Sequence, residues 1–277
     1  MGKKHRYPTG VRPLLINESA RRRSVESRIT SILERAGFEE IILPIIDYAE
    51  PYAATGAIDS RQTYRFVDRD GDLVAVRSDF TPMVARALAP SLTPEQLPLR
   101  VFYRGDVIRY QASRLGANRE MFQIGAEIIG DASEQADIEA MSLVSAVLRE
   151  LGVSPTIVFT DATIPERIDP AAREWLATKR APADAPEAAR RLIAGTATTR
   201  DIPADIGSRL DAISRACPDC VIHLDDVDRA RGYYSGLRFR AYDLSSRSTI
   251  AQGGRYDNLY EQFGASAPAV GFTITCE

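Results

Sequence analysis

Strands in this chain come in adjacent pairs, and that pairing limits the fold more than any other feature of the sequence. From Thr63 to Arg77, polar and apolar residues alternate on both sides of Asp70-Gly71-Asp72, the pattern of a β-hairpin. A second hairpin is expected from LRVFYRGDVIRY and REMFQIGAEIIG, separated by the polar loop Gln111 to Asn118. Strands joined in this way run antiparallel. The predicted class is therefore α+β, with an antiparallel sheet flanked by helices, rather than a doubly wound parallel sheet.

Helical signals fill the gaps between the strands. Residues 17 to 36 read as a helix with Asn17 at its N-cap, Ile29, Ile32 and Leu33 at helical spacing, and Gly37 as its terminator. Ile41, Ile42 and Leu43 then predict a short buried strand stopped by Pro44. Thr81 is placed to cap a helix that has Pro82 at its first position. A further amphipathic helix is expected over 134 to 151, closed by Gly152. IVFT (157 to 160) reads as a strand. Residues 162 to 215 lose the strand signals and accumulate Ala, Arg and Pro, which predicts a small helical insertion within a core formed by 1 to 161 and 216 to 277. Strand patterns resume with VIHLDD and GLRFRAYDL and end with AVGFTITCE.

Charge narrows the function classes. Thirty-five basic against 38 acidic side chains give a net charge of −3, so no overall cationic field favours nucleic acid, and tRNA is not an expected partner. No apolar stretch is long enough to span a bilayer, and MGKKHRYPTG is not followed by an apolar signal core, so a cytoplasmic protein is expected. Three cysteines in 277 residues do not make a disulfide framework. Cys217-Pro218-Asp219-Cys220, with His223 beyond it, has the spacing of a redox pair or half a zinc site, but the fourth metal ligand has no candidate nearby, and no metal is expected.

Three clusters carry possible binding chemistry. Arg104, Arg109, Arg119, Gln123 and Glu127 fall on the second hairpin, and Arg119, Gln123 and Glu127, spaced by four, share one face. Polar side chains on a face otherwise rich in Phe and Ile mark either a solvated surface or a ligand site. Arg77-Ser78-Asp79-Phe80-Thr81 places a carboxylate and a hydroxyl at a strand-to-helix junction, where Asp79 can receive an ammonium group or simply cap the helix. RGYYSGLRFRAYD and AQGGRYDNLYEQFG combine a tyrosine pair, Tyr233 and Tyr234, with glycines that let the backbone approach a ligand or merely turn.

In order and spacing, GVRPLL, RSDFTPMVARALA, FYRGDVIRY, REMFQIGAEIIG, GYYSGLRF, GGRYDNLYEQFG and PAVGF resemble the histidyl-tRNA synthetase family and, more closely, its branch of ATP phosphoribosyltransferase regulatory subunits. The resemblance covers nearly the whole chain outside 162 to 215. It implies a class II aminoacyl-tRNA synthetase-like core and an amino-acid pocket lined by Asp79, Thr81, Arg109, Gln123, Tyr233 and Tyr234, with Glu127 beside it. Arg119 and Arg109 match arginines that hold carboxylate and phosphate groups in the synthetases, and Arg229 falls near the arginine that precedes the paired tyrosines. The free ligand implied is histidine.

Departures from the synthetase pattern bear on catalysis. An acidic residue that receives the adenine amino group is replaced by Gln111, and the chain ends at Glu277, before the final arginine of the third motif. Cations placed where negative charge develops are worth orders of magnitude in adenylyl transfer. The expectation is thus a non-catalytic regulatory subunit with no cofactor, which binds histidine and partners a catalytic short-form ATP phosphoribosyltransferase subunit. The alternative is a synthetase-like enzyme or fragment that activates histidine with ATP, or a paralogue that takes another amino acid. Residues 17 to 50 resemble the synthetase dimerisation motif, so a homodimer within a hetero-oligomer is expected.

Overall fold

The computed structural model describes residues 7–55, 60–110, 118–226, 232–243 and 248–276. Gln111 and Arg229 lie outside them, as does most of the loop between the strands of the second hairpin. Helix α1 (Ile16–Arg35) leads into the two-residue strand β1 (Glu39–Glu40) and then β2 (Ile46–Tyr48). Next come α2 (Glu50–Thr55), the hairpin β3 (Arg65–Val67) and β4 (Leu73–Val76), and α3 (Thr81–Leu88). The long hairpin β5 (Leu99–Ile108) and β6 (Glu120–Ile129) is followed by α4 (Glu134–Glu150) and β7 (Thr156–Asp161). Four short helices occupy the Ala- and Arg-rich stretch: α5 (Ile164–Ile168), α6 (Ala172–Thr178), α7 (Glu187–Ile193) and α8 (Ala204–Ala216). Strands β8 (Cys220–Ile222), β9 (Leu237–Asp243), β10 (Ser248–Arg255) and β11 (Ala269–Cys276) complete the chain.

Eight strands form the main sheet in the order β1-β5-β6-β11-β10-β9-β7-β8, and β2-β4-β3 form a separate small sheet. The six central strands pair antiparallel, as the hairpin pattern predicts. Only the edge strands β1 and β8 join in parallel. The sheet is therefore mixed, with an antiparallel centre.

Two start signals gave wrong positions. The cap of helix α1 falls two residues before the expected Asn17, at Leu15. The Glu18 carboxylate accepts the Leu15 N–H at 3.4 Å, the reciprocal half of a capping box whose other half an apolar cap residue cannot supply. Ile41 to Leu43 do not form the buried strand. Pairing with β5 stops at Glu40, apart from the Ile41 N–H bound to the Phe102 carbonyl, and Ile42 is 90% exposed. An apolar triplet has no period that tells a core strand from an apolar surface, and here tertiary position decided.

Alternation along β6 divides its side chains between two cores. Ile124, Ala126 and Ile128 point to the face covered by α1, α4 and α8, where Ile29, Leu33, Val144 and Ile213 are also buried. Each such large side chain contributes about 1.5–3 kcal/mol through burial. The odd-numbered residues face α3, beside Tyr103, Phe80, Val84, Tyr256 and Tyr260. Glu127 lies on this second face and is buried.

A buried charge network ties the α4 side to the sheet. Arg255, 1% exposed, donates to Asp137 Oδ1 at 2.8 Å and to the carbonyls of Asp131 and Ser133. Arg209 of α8 donates to the other oxygen of Asp137, which is itself inaccessible. Burial raises the Asp137 carboxyl, and the two guanidiniums act against that shift. No helix of the described residues is long and apolar enough to cross a membrane.

Candidate functional site

The register of the main sheet sets Glu127 opposite Val101 on β5 and Gly271 on β11. Tyr103, two residues along β5, lies on the same face and opposite Gly125. A side chain at Gly125 would run into the Tyr103 ring, so the glycine makes the room that the tyrosine fills. Tyr103 stacks on Phe80 at 4.4 Å between ring centres, which places the start of α3 directly over the strand pair.

Glu127 uses one carboxyl oxygen and leaves the other bare. Oε1 accepts from Thr81 Oγ1 at 3.0 Å and from the Tyr103 hydroxyl at 3.1 Å. The Tyr103 hydroxyl also lies 3.1 Å from Thr273 Oγ1. Oε2 is buried with no hydrogen-bond partner among the described residues, and so is the Tyr256 hydroxyl. Both atoms crowd the bare Cα of Gly271, where a Cβ would overlap them. An unpaired buried polar atom costs about 1–3 kcal/mol, so these two are the least satisfied groups of the cluster.

Asp79 forms the second pole of this hollow. Its Oδ1 accepts the Thr81 N–H at 3.1 Å, and its Oδ2 lies 3.7 Å from Arg109 Nη2. Arg109 is anchored by donating from Nε to the Ser78 carbonyl at 2.7 Å. Asp79 thus closes an Asx turn before α3 and pairs with Arg109, whereas neither it nor Thr81 caps the helix: the cap position is Phe80, without a side-chain cap, and Thr81 is the first helical residue. Tyr233 closes the side: its ring stacks on Tyr256 at 5.7 Å and meets Tyr234 edge-on at 4.9 Å. The Tyr233 hydroxyl is buried and lies near enough to Asp79 and Glu127 to feel their charges. Tyr234 packs over Gly254, where any side chain would meet its ring.

Burial dominates the electrostatics. Desolvation lifts the Glu127 carboxyl to about 8, against the smaller stabilising effect of the hydrogen bonds from Thr81 and Tyr103, so the acid is largely protonated at neutral pH. Burial also raises Asp79, although Arg109 opposes it. Tyr103 and Tyr233 keep their protons well beyond the usual phenol range for the same reason. The cluster therefore combines a largely neutral carboxyl, the Asp79 carboxyl and several hydroxyls, with Arg109 as the neighbouring cation.

Most residues expected from the sequence meet here, and some do not. Asp79, Thr81, Arg109, Glu127 and Tyr233 interact directly, and Tyr234 adjoins them. Gln123 is buried two side-chain repeats along the Glu127 face, opposite Gly105 and Thr275. Arg119 stands with its guanidinium 5.3 Å from the Tyr110 ring centre. Arg104 points to the opposite face, where it pairs with Glu26 and Glu40. Tyr103, Tyr256 and Thr273 were missed, because each reads locally as an ordinary strand or core residue. Gly125 opposite Tyr103 was the available signal, but it becomes visible only once the register is known. No group of three or more His, Cys, Asp or Glu among the described residues is placed to hold a metal ion.

Comparison with known proteins adds independent findings. A family model described as histidyl-tRNA synthetase matches residues 10–174 and 163–277. An ATP phosphoribosyltransferase regulatory subunit from Anaeromyxobacter dehalogenans is 31% identical over 314 aligned residues, covering 98% of this chain and 89% of the relative. One from Symbiobacterium thermophilum is 30% identical, covering 96% and 77%. Among solved structures, an ATP phosphoribosyltransferase regulatory subunit/histidyl-tRNA synthetase from Bacillus halodurans C superposes with a TM-score of 0.87 at 23% identity, over 99% of this chain and 82% of that one. A chain of the ATP phosphoribosyl transferase complex from Thermotoga maritima superposes at 0.71 with 20% identity, over 92% and 97%. At such identities the two structures establish the shared fold.

Proposed function

The chain belongs to the histidyl-tRNA synthetase-like family of ATP phosphoribosyltransferase regulatory subunits, and from that premise we propose that it binds free histidine between Glu127 and Asp79 and uses the bound amino acid to control a catalytic short-form ATP phosphoribosyltransferase subunit. The observation that carries the proposal is the buried, unpaired Oε2 of Glu127. With Oε1 already accepting from Thr81 and Tyr103, the proton of the neutral acid sits on Oε2 and suits the unprotonated nitrogen of an imidazole. Asp79 suits the ammonium group and Arg109 the carboxylate, with Tyr233 and Tyr234 as the aromatic wall. Gln123 lines the same face, and Arg119 is held back at the rim for a carboxylate or phosphate.

The protein acts in this reading as a sensor rather than an enzyme. Among its relatives, the Thermotoga maritima structure is a complex of two kinds of subunit. Control requires histidine to bind one state of such a complex more tightly than another. The net charge of −3 supplies no footprint for tRNA. Exposed Ile42, Ile45, Ile46, Tyr48, Phe66, Val67 and Leu73 cluster on and beside the small sheet and support a homodimer within the larger assembly. The stretch 162–215 runs between β7 and β8 and adds Leu176, Leu192, Ile206, Leu210 and Ile213 to the main core, so the insertion we propose is packed onto the sheet. A cytoplasmic site of action follows from the biosynthetic role.

Isothermal titration of the purified chain with histidine and then ATP tests the proposal. Saturable histidine binding with no ATP binding is the expected result. Robust histidine-dependent ATP–pyrophosphate exchange by the isolated chain would favour the synthetase-like alternative. A thermal shift with another amino acid and none with histidine would reassign the ligand.

A further inference from the structure

The pair Cys217 and Cys220 has no part in the histidine hollow. Cys217 ends α8, and Cys220 opens β8. The Cys220 N–H donates to the Cys217 carbonyl at 2.9 Å, closing a tight turn. Such a turn brings the first and fourth Cα atoms within about 7 Å, the separation a disulfide requires. Both sulfurs are buried, but Ala216, Pro218 and Asp219 around them are exposed, so the turn lies at the surface. Ser142 Oγ of α4 lies 3.6 Å from Cys217 Sγ. His223 is directed elsewhere, with Nδ1 at 3.0 Å from Asp225 Oδ1, so it does not extend the pair toward a metal site.

The structure assigns to Cys217 and Cys220 a reversible dithiol–disulfide site, with Cys217 as the attacking sulfur, Cys220 as the resolving one and a low-molecular-weight disulfide as the oxidant. The Cys217 thiolate attacks one sulfur of the external disulfide. The external S–S bond breaks, a mixed disulfide forms on Cys217, and one external thiolate leaves and takes up a proton. Cys220 then loses its proton to solvent and attacks Cys217 Sγ, expelling the second external thiolate, which is protonated in turn. Two electrons pass from the cysteine pair to the external disulfide, leaving one protein disulfide and two external thiols. The direction of attack agrees with the local chemistry. The adjacent Cys220 thiol lowers the Cys217 thiol to about 6, aided by Ser142 and Arg149, whereas Cys217 and burial raise Cys220. The third cysteine, Cys276, is pushed up to about 12 by burial and serves as an internal control.

The test equilibrates the reduced protein with a series of glutathione redox mixtures, traps free thiols with an alkylating reagent, and maps the products by peptide mass spectrometry. Expected is loss of two hydrogens in the peptide spanning Cys217 to Cys220, with Cys276 still alkylated and full reversal by dithiothreitol. C220S should instead accumulate a mixed glutathione disulfide on Cys217. If both cysteines remain alkylated in the most oxidising mixture, or if glutathione stays attached to wild-type Cys217, the assignment fails. The wild-type measurement decides the matter even if the variant does not fold.

Discussion

Thr81 Oγ1 donates to Glu127 Oε1 across 3.0 Å, joining the first residue of α3 to the middle of β6. The bond fixes one oxygen of a buried carboxyl and directs the other toward the Tyr256 hydroxyl and the bare Cα of Gly271. The shape and polarity of the hollow follow from that one fixed orientation.

Glu127 should leave a pH signature on stability. Its carboxyl titrates at about 8 in the folded protein against 4.5 as its ordinary value, so between those values the folded state holds a proton that the unfolded chain has released. Stability therefore falls as pH rises from about 4.5 to about 8 and levels off above, as far as this group is concerned. Thermal midpoints of wild type and E127Q across that window should diverge, with the variant showing the shallower decline. Parallel curves would mean that Glu127 ionises like a surface acid.

Asp79 separates charge from turn bonding. D79N keeps an acceptor for the Thr81 N–H and should leave the midpoint nearly unchanged, whereas D79A loses that turn hydrogen bond and about 1 kcal/mol of stability. Both should weaken histidine binding about tenfold or more, equivalent to about 1.4 kcal/mol, in calorimetric titration. Unaltered affinity in D79N would remove the carboxylate from the site.

Gly271 tests the hollow from below. In G271A the new methyl group would overlap Glu127 Oε2 and the Tyr256 hydroxyl, and both belong to packed side chains with little room to retreat. The expected outcome is a loss of about 1–3 kcal/mol in denaturant unfolding together with loss of histidine binding. Retained affinity would place the ligand elsewhere.

Asp137 should be among the costliest positions in the protein. Substituting Asn leaves the buried Arg255 and its partner Arg209 without their shared counter-charge. Breaking a buried pair in this way costs about 3–5 kcal/mol, readable as a shift of the urea midpoint without a change of slope. A drop within the range of an ordinary surface substitution would show that solvent reaches the network.

Ile42 reports on assembly. I42E introduces a charge where a large apolar side chain stands 90% exposed, so it should leave folding intact while shifting sedimentation toward monomer. A monomeric wild-type chain at the same concentration would argue against this face as the dimer contact.

The antiparallel centre of the sheet, the long hairpin, α3 and α4 were all legible in the sequence, since alternation, turn residues and helical spacing are local properties. The same local reading placed Asp79, Thr81 and Glu127 as candidates, because a carboxylate among strand apolars stands out without any knowledge of neighbours. Tertiary structure decided the rest. Ile42 became surface because strand pairing ends at Glu40, and Arg104 left the site because alternation turns it away from Tyr103. Tyr103, Tyr256 and Thr273 joined it through registers that connect β5, β6, β10 and β11 across more than a hundred residues of chain. Hydrophobic period is written residue by residue, whereas the partner of a buried polar atom depends on which distant strand arrives beside it.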